Sequence, residues 1–259
     1  MSTQQKILLA STLLAFSSTV ALADENEDQL DTGFQLNFMA GLTSLEQDGH
    51  YDFSTTEKDS LIQDGTDWSS WTIAVGVGYL YPLQEAEDDA ELTWFPAITP
   101  ELNLYYLNGS DIEGDVYRYQ DPDLNDGTYT SEFSSTRLML DFDLTVIEIE
   151  KFSVFALAGL GIAFNSTDLN VMVNEEHNFP DFSLDSNEST AFAYEFGAGF
   201  GYAITDDWGV SLEYLYANLG EANVSGSSPI PGDPDDLVID SSDIDMTSQS
   251  IILGMTFAL

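Results

Sequence analysis

Cysteine is absent from the 259 residues and bases are scarce, with five lysines and arginines against 46 aspartates and glutamates and a formal net charge of −41. The first absence excludes disulfides, thiolate metal sites and lipoprotein acylation. The second makes nucleic acid and anionic membrane surfaces poor partners. Also missing is any run of the ~20 consecutive apolar residues that a membrane-crossing helix needs. The stretch Ile7 to Phe16 comes nearest and is broken by Ser11 and Thr12, so an α-helical inner-membrane protein is excluded. Histidine is nearly lacking too: His50 and His177 sit in no recognisable His-Ser-Glu or Asp-His arrangement, which leaves little for a surface hydrolase of lipid A or peptides.

What is present begins with an export signal. Lys6, the apolar stretch after it and the small-residue ending Ala21-Leu22-Ala23 have the layout of a cleavable secretory peptide, residues 1–23, cut after Ala23. An acidic tail, 24–32, precedes a barrel expected over 33–259. Such charge would suit disorder, but the aromatic content and the strict alternation of apolar residues argue against it.

That alternation is clearest in the last strand, Ser250 to Leu259. Ile251, Leu253, Met255, Phe257 and Leu259 share one face, and Ser250, Ile252, Gly254, Thr256 and Ala258 share the other. Eight segments repeat the pattern: Gly33 to Leu42, Trp71 to Tyr81, Ala97 to Leu107, Thr136 to Leu144, Phe152 to Phe164, Ala191 to Ile204, Val210 to Ala217 and the C-terminal strand. Each is about the ~9–11 residues of a tilted membrane strand. In the sixth, Phe192, Tyr194, Phe196, Ala198, Phe200 and Tyr202 alternate with Ala193, Glu195, Gly197, Gly199, Gly201 and Ala203, as lipid-facing and lumen-facing parities would in a narrow barrel. A soluble antiparallel sheet also alternates. Tyrosine and tryptophan at the segment ends, and connections alternating long and short, favour the membrane reading. The expectation is an all-β, eight-stranded antiparallel transmembrane β-barrel. Its long acidic extracellular loops are expected at Thr43 to Ser70, Asn108 to Ser135, Asn165 to Thr190 and Asn218 to Gln249.

Leu212-Glu213-Tyr214 with Ala217-Asn218-Leu219-Gly220, the glycine-alternating fifth and sixth segments and the aromatic-alternating C-terminus resemble the small OmpA-like or opacity-type outer-membrane barrels of Gram-negative bacteria. The resemblance covers nearly all of the exported chain. It implies a location in the bacterial outer membrane among its lipids and lipopolysaccharide, and a monomer. It also implies recognition of the terminal strand, here Met255, Phe257 and Leu259, by the barrel-assembly machinery. The family's terminal phenylalanine is replaced by Leu259, and no peptidoglycan-tethering domain is implied.

Arg137 is the base assigned to the interior, on the same parity as Asp141 and Asp143, with Glu101, Glu195 and Glu213 also inward. A buried guanidinium needs carboxylate partners, so an ion-pair network filling the lumen is favoured over a conducting path. The excess of carboxylates over that one base calls for hydration and cations, or for protonation of some of them. Asp121, Asp123 and Asn125, with Glu132 at the twelfth position, resemble a calcium loop; Asp126 stands where the invariant glycine belongs, and a solvated turn is the simpler reading. No cofactor beyond that Ca²⁺ option is expected. The expected function is non-enzymatic, a structural or surface-interaction role carried by the acidic loops toward an unidentified extracellular ligand. A small cation-preferring channel is the alternative, and the hydrolase a further one.

Overall fold

In a β-strand every second side chain points the same way, so a closed sheet sorts its residues into an outer and an inner set. The computed structural model describes residues 33–54, 57–63, 68–84, 92–109, 111–117, 121, 123–173, 182–228 and 237–259, and the expected signal and acidic tail lie outside them. Every regular element among these residues is a strand. They are β1 (Phe34–Ser54), β2 (Glu57–Gln63), β3 (Ser70–Tyr79), β4 (Tyr81–Pro82), β5 (Thr93–Trp94), β6 (Ala97–Asn108), β7 (Asp111–Tyr117), β8 (Asn125–Ile149), β9 (Phe152–Val173), β10 (Phe182–Ala203), β11 (Trp208–Ser228) and β12 (Leu237–Ala258).

Eight of them form the ring β1-β3-β6-β8-β9-β10-β11-β12, antiparallel throughout and closed by the pairing of β12 with β1 from Gln35↔Ala258 to Gly49↔Ile244. The stagger can be followed from partner to partner. Leu36 leads through Val77, Leu102, Leu140, Leu160, Tyr194, Asn218 and Thr247 back to Glu46 on β1, a shear of ten residues. With a rise of about 3.3 Å per residue and strands about 4.8 Å apart, that shear tilts the strands by about 40°. Trp71 and Tyr79 then stand about 20 Å apart in height, close to the ~25 Å apolar band of an outer-membrane barrel. Rings gather at both levels. Trp71 meets Tyr106 edge-on at 5.8 Å, and Phe34–Tyr79 (5.2 Å), Phe152–Tyr202 (6.3 Å) and Trp208–Phe257 (4.8 Å) mark the opposite rim. Between the rims large apolar side chains lie bare on the outside, Leu253 at 66% and Phe192 at 64% exposure. An apolar belt of this height is a surface for hydrocarbon.

The expected long loops are corrected here. Strands do not stop at the band: β9, with 22 residues, rises about 55 Å at this tilt, twice the band height. Where β3 and β6 end, β2 and β7 take over their places. Above the band the order is β1-β2-β7-β8-β9-β10-β11-β12, a second ring on the first. At the step between the rings the Gln63 side chain serves as a backbone surrogate for β1, accepting from Gln47 N at 2.9 Å and donating to Leu45 O at 3.1 Å.

The two rings have opposite polarity. On β12 the outer face runs Met255, Leu253, Ile251 and then Gln249, Thr247, Asp245, while on β9 it runs Leu160, Ile162, Phe164 and then Ser166, Asp168. The inner face does the reverse. Leu45, Leu107, Ile112, Phe133, Leu169, Leu219, Ile244 and Met246 are buried as one apolar core inside the upper ring, whereas the band encloses Arg137, Glu101, Asp141, Glu195 and Glu213 beside a smaller apolar cluster of Met139, Leu157, Leu215 and Ile252. A bulge at Leu219 and Gly220 adjusts β11 at the transition, with Gly220 at φ 71° and Asn165 Nδ2 donating to Leu219 O at 2.8 Å.

The band assignment is testable by depth. Leu253→Arg, near mid-height, costs about 2–4 kcal/mol, whereas Thr247→Arg, above the upper rim, costs about 0–1 kcal/mol. Urea unfolding midpoints in lipid vesicles read the difference, and equal costs contradict the band.

Candidate functional site

A ring of eight strands leaves a lumen that side chains fill, so each large inward residue needs a neighbour that yields space. Glycine provides it. Asp141, Gly159 and Glu195 lie in one cross-strand row, as do Asn37, Gly76 and Asn103. A methyl group at Gly159 would collide with the Asp141 carboxylate and one at Gly76 with the Asn103 amide, so both polar groups lean over the bare backbone between them.

Arg137 is fully buried. Its Nε donates to Glu195 Oε2 at 3.1 Å, and its Cζ lies 4.2 Å over the Tyr105 ring. Lower in the lumen Asn103 Nδ2 donates to Asp141 Oδ2 at 2.8 Å and to Glu101 Oε2 at 3.1 Å, and Asn37 Nδ2 donates to Glu101 Oε1 at 2.7 Å. On the other side of the guanidinium, toward the cap, Thr43 exchanges hydrogen bonds with Thr72 at 2.7 Å and Ser250 at 2.8 Å.

Of the five inward carboxylates expected around Arg137, one is its direct partner among the described residues, Glu195. Glu101 and Asp141 are joined through an amide. Asp143 and Glu213 line an open chamber in the lower half of the lumen, and one oxygen of each lacks a hydrogen-bond partner among the described residues. The asparagines Asn37 and Asn103 and the stacking Tyr105 were not singled out from sequence. Their inward parity between apolar neighbours was the available signal.

The calcium reading is corrected. Asp121 closes a local turn, accepting at Oδ1 from Asp123 N at 3.1 Å and at its carbonyl from Leu124 N at 2.9 Å. Asn125 and Glu132 stand on the single extended strand β8, seven positions and thus about 23 Å apart. Glu132 pairs in register with Asp111 and Asp168 and cannot close a site with Asp121. The residues of the expected assembly signal share the outer face of β12 and its end, with Phe257 against Trp208 and Leu259 N donating to Phe34 O at 2.9 Å. For the hydrolase reading, the His50 side chain and all of His177 lie outside the described residues.

Removing one member of a buried pair leaves an uncompensated charge, so Arg137→Ala costs about 3–5 kcal/mol while Arg137→Met with Glu195→Leu recovers most of it. Gly159→Ala, which drives a methyl into the Asp141 carboxylate, costs about 1–3 kcal/mol. Unfolding midpoints measured side by side check all three. A double variant as unstable as Arg137→Ala would show that the space, and not the charge, was lost.

Solved structures with similar course include the outer membrane protease OmpT from Escherichia coli (9% identity, TM-score 0.45, covering 91% of this chain and 99% of that one). OprG from Pseudomonas aeruginosa has 12% identity and a TM-score of 0.44, covering 88% and 98%. Ail of Yersinia pestis has 10% identity and a TM-score of 0.37, covering 88% and 100%. Among curated proteins none matches. The outer membrane protein beta-barrel domain matches residues 8–241, and the chain therefore belongs to that family and resides in the bacterial outer membrane.

Proposed function

We propose that this barrel is a non-enzymatic surface-presentation protein, carrying an acidic β-walled stalk outside the membrane. One observation carries the reading: the reversal of polarity above the band, which fills the outer end of the lumen with Leu45, Leu107, Phe133, Leu219, Ile244 and Met246. A dry core where the lumen would meet the exterior suits a rigid support. It is unsuited to the passage of hydrated ions, whose desolvation costs far more than an apolar constriction returns.

The outer wall of the stalk supplies the contact surface. Glu221, Asp245 and Asp48 stand in one cross-strand row, all exposed, and Glu132 pairs with Asp168 in another. Like charges placed directly opposite destabilise a sheet. Their retention fits a role in meeting basic or cation-bridged surfaces, including lipopolysaccharide linked through divalent cations. Partner recognition of this kind weakens as salt rises, because exposed charges are screened beyond about 8 Å at physiological ionic strength.

The channel alternative draws on the polar lower lumen and is decided by one measurement. The refolded mature protein, inserted in a planar bilayer under a KCl gradient, is expected to be silent. Discrete cation-selective steps, lost on Leu219→Trp substitution within the cap, would overturn the surface-presentation reading and establish the channel.

A further inference from the structure

The outer wall of the band is not evenly filled. A groove of about 860 Å³ runs obliquely across it, banked by two neighbouring cross-strand rows. Phe200, Leu212, Leu253 and Ala40 form the upper row, and Tyr202, Val210, Met255 and Phe38 the lower one, all exposed on the outside. Between them Gly201, Ser211 and Gly254 stand in one row of the opposite parity, so the floor of the groove is backbone. Ala40 adds width at the upper bank, between the large side chains of Phe38 and Leu42 on the same face of β1.

The groove keeps to one leaflet. From Tyr202 on β10 to Val75 on β3 it crosses four gaps between strands, about 19 Å at about 4.8 Å each. At the 40° tilt it climbs about 12 Å on the way, half of the ~25 Å band. Its lower end lies at the rim with the short turns, by Tyr202 and Phe152, whose rings meet at 6.3 Å. A hydrocarbon chain entering at that rim and ending near the midplane has this course.

The rim below supplies partners for a headgroup. Ala203 N donates to Lys151 O at 2.9 Å, which sets Lys151 beside the end of β10, on the edge between lumen and outer wall. Its Nζ lies 3.4 Å from Ile204 O, two residues past Tyr202. That contact is long, and the exposed ammonium, with no ion pair among the described residues, keeps N–H groups for a further acceptor. Asp206 and Asp207 are exposed in the next turn, which is closed by Ile204 N to Trp208 O at 2.8 Å and Trp208 N to Thr205 Oγ1 at 3.1 Å. A cation and two anions thus stand within a few residues of the groove's lower end. The aspartates repel a bare phosphate. A phosphate that carries its own ammonium meets Lys151 with the one and the aspartates with the other.

We propose that groove and rim together bind one glycerophospholipid of the periplasmic leaflet, with an acyl chain between the two rows and an ammonium-bearing headgroup between Lys151 and the Asp206–Asp207 turn. The apolar wall by itself accepts any lipid, and the paired charges select among them. The site lies at the end away from the stalk, so the inference does not depend on the surface-presentation role.

Native mass spectrometry of the refolded full mature chain, released from micelles with equal amounts of dipalmitoyl phosphatidylethanolamine and dipalmitoyl phosphatidylglycerol, tests it. The monomer should retain one phosphatidylethanolamine, favoured about fivefold or more over phosphatidylglycerol. Lys151→Gln should lower retention of both lipids, and Asp206→Asn with Asp207→Asn should remove the preference while a lipid stays bound. Ala40→Phe, which fills the groove, should cut retention about fivefold or more. Ala158→Phe, the same change at an exposed position of β9 outside the groove, should leave it unaltered, with heat-shifted migration confirming the fold of each variant. Release of bare monomer, equal retention of the two lipids, a preference that survives loss of the aspartates, equal effects of the two alanine variants, or a lipid-free dimer seated on the groove would each overturn the proposal.

Discussion

Hydrocarbon offers no hydrogen bonds to a bare amide, so a sheet in the membrane must close on itself, and the whole molecule depends on the seam between β12 and β1. Once the sheet closes with eight strands and a shear of ten residues, circumference and tilt are fixed. The lumen is then too narrow for every inward position to carry a large side chain. Bare backbone at Gly76 and Gly159 is what allows Asn103 and Asp141 their places, and the polar network follows from the geometry of closure. The Arg137–Glu195 pair sits where these constraints meet. Its net contribution to stability is small, because desolvation offsets attraction, yet either partner alone is costly.

The solvent outside the wall changes along the strand axis, and the side-chain pattern changes with it. Beside hydrocarbon, apolar residues face out and the interior admits buried polar groups; beside water, the usual arrangement returns, with Glu46, Asp48, Asp168 and Asp245 outward and Ile244, Met246 and Leu169 inward. The strands cross this boundary without interruption. The protein is thus a membrane barrel and a water-soluble barrel sharing strands, joined at a step that Gln63 and the Leu219–Gly220 bulge make good.

The membrane half was legible from sequence because its outer parity is strongly apolar. Ile251, Leu253 and Met255, or Phe192 to Tyr202, announce strand and orientation by themselves, and the inward set Glu101, Arg137, Asp141, Glu195 and Glu213 follows from parity alone. The upper half was read as loop for a physical reason. Past Gln249 or Ser166 the apolar parity moves to the other face while the strand continues, and a reading that follows one apolar face sees the pattern end. Acidic residues such as Asp168 and Asp245 then look like loop composition, although they are the wet face of a sheet. Glycine positions were taken as signs of a narrow lumen, but which glycine faces which carboxylate depends on register across strands, and register is a tertiary fact.

The two populations of acid have different electrostatic standing. On the stalk, Glu221, Asp245 and Asp48 are exposed, and water and salt reduce their mutual repulsion to a modest cost that a partner surface can convert into attraction. In the lumen, Glu101, Asp141 and Glu213 are buried, where an ionised carboxylate costs far more than at the surface unless a donor, a cation or a proton compensates it. Exposed repulsion can be tolerated indefinitely, but buried repulsion demands compensation in place. Amides do part of that work through Asn37 and Asn103, and Arg137 does part through Glu195. The remaining demand falls on the chamber beside Glu213 and Asp143, where the lumen is open at the end with the short turns and water or a proton can meet what no side chain does.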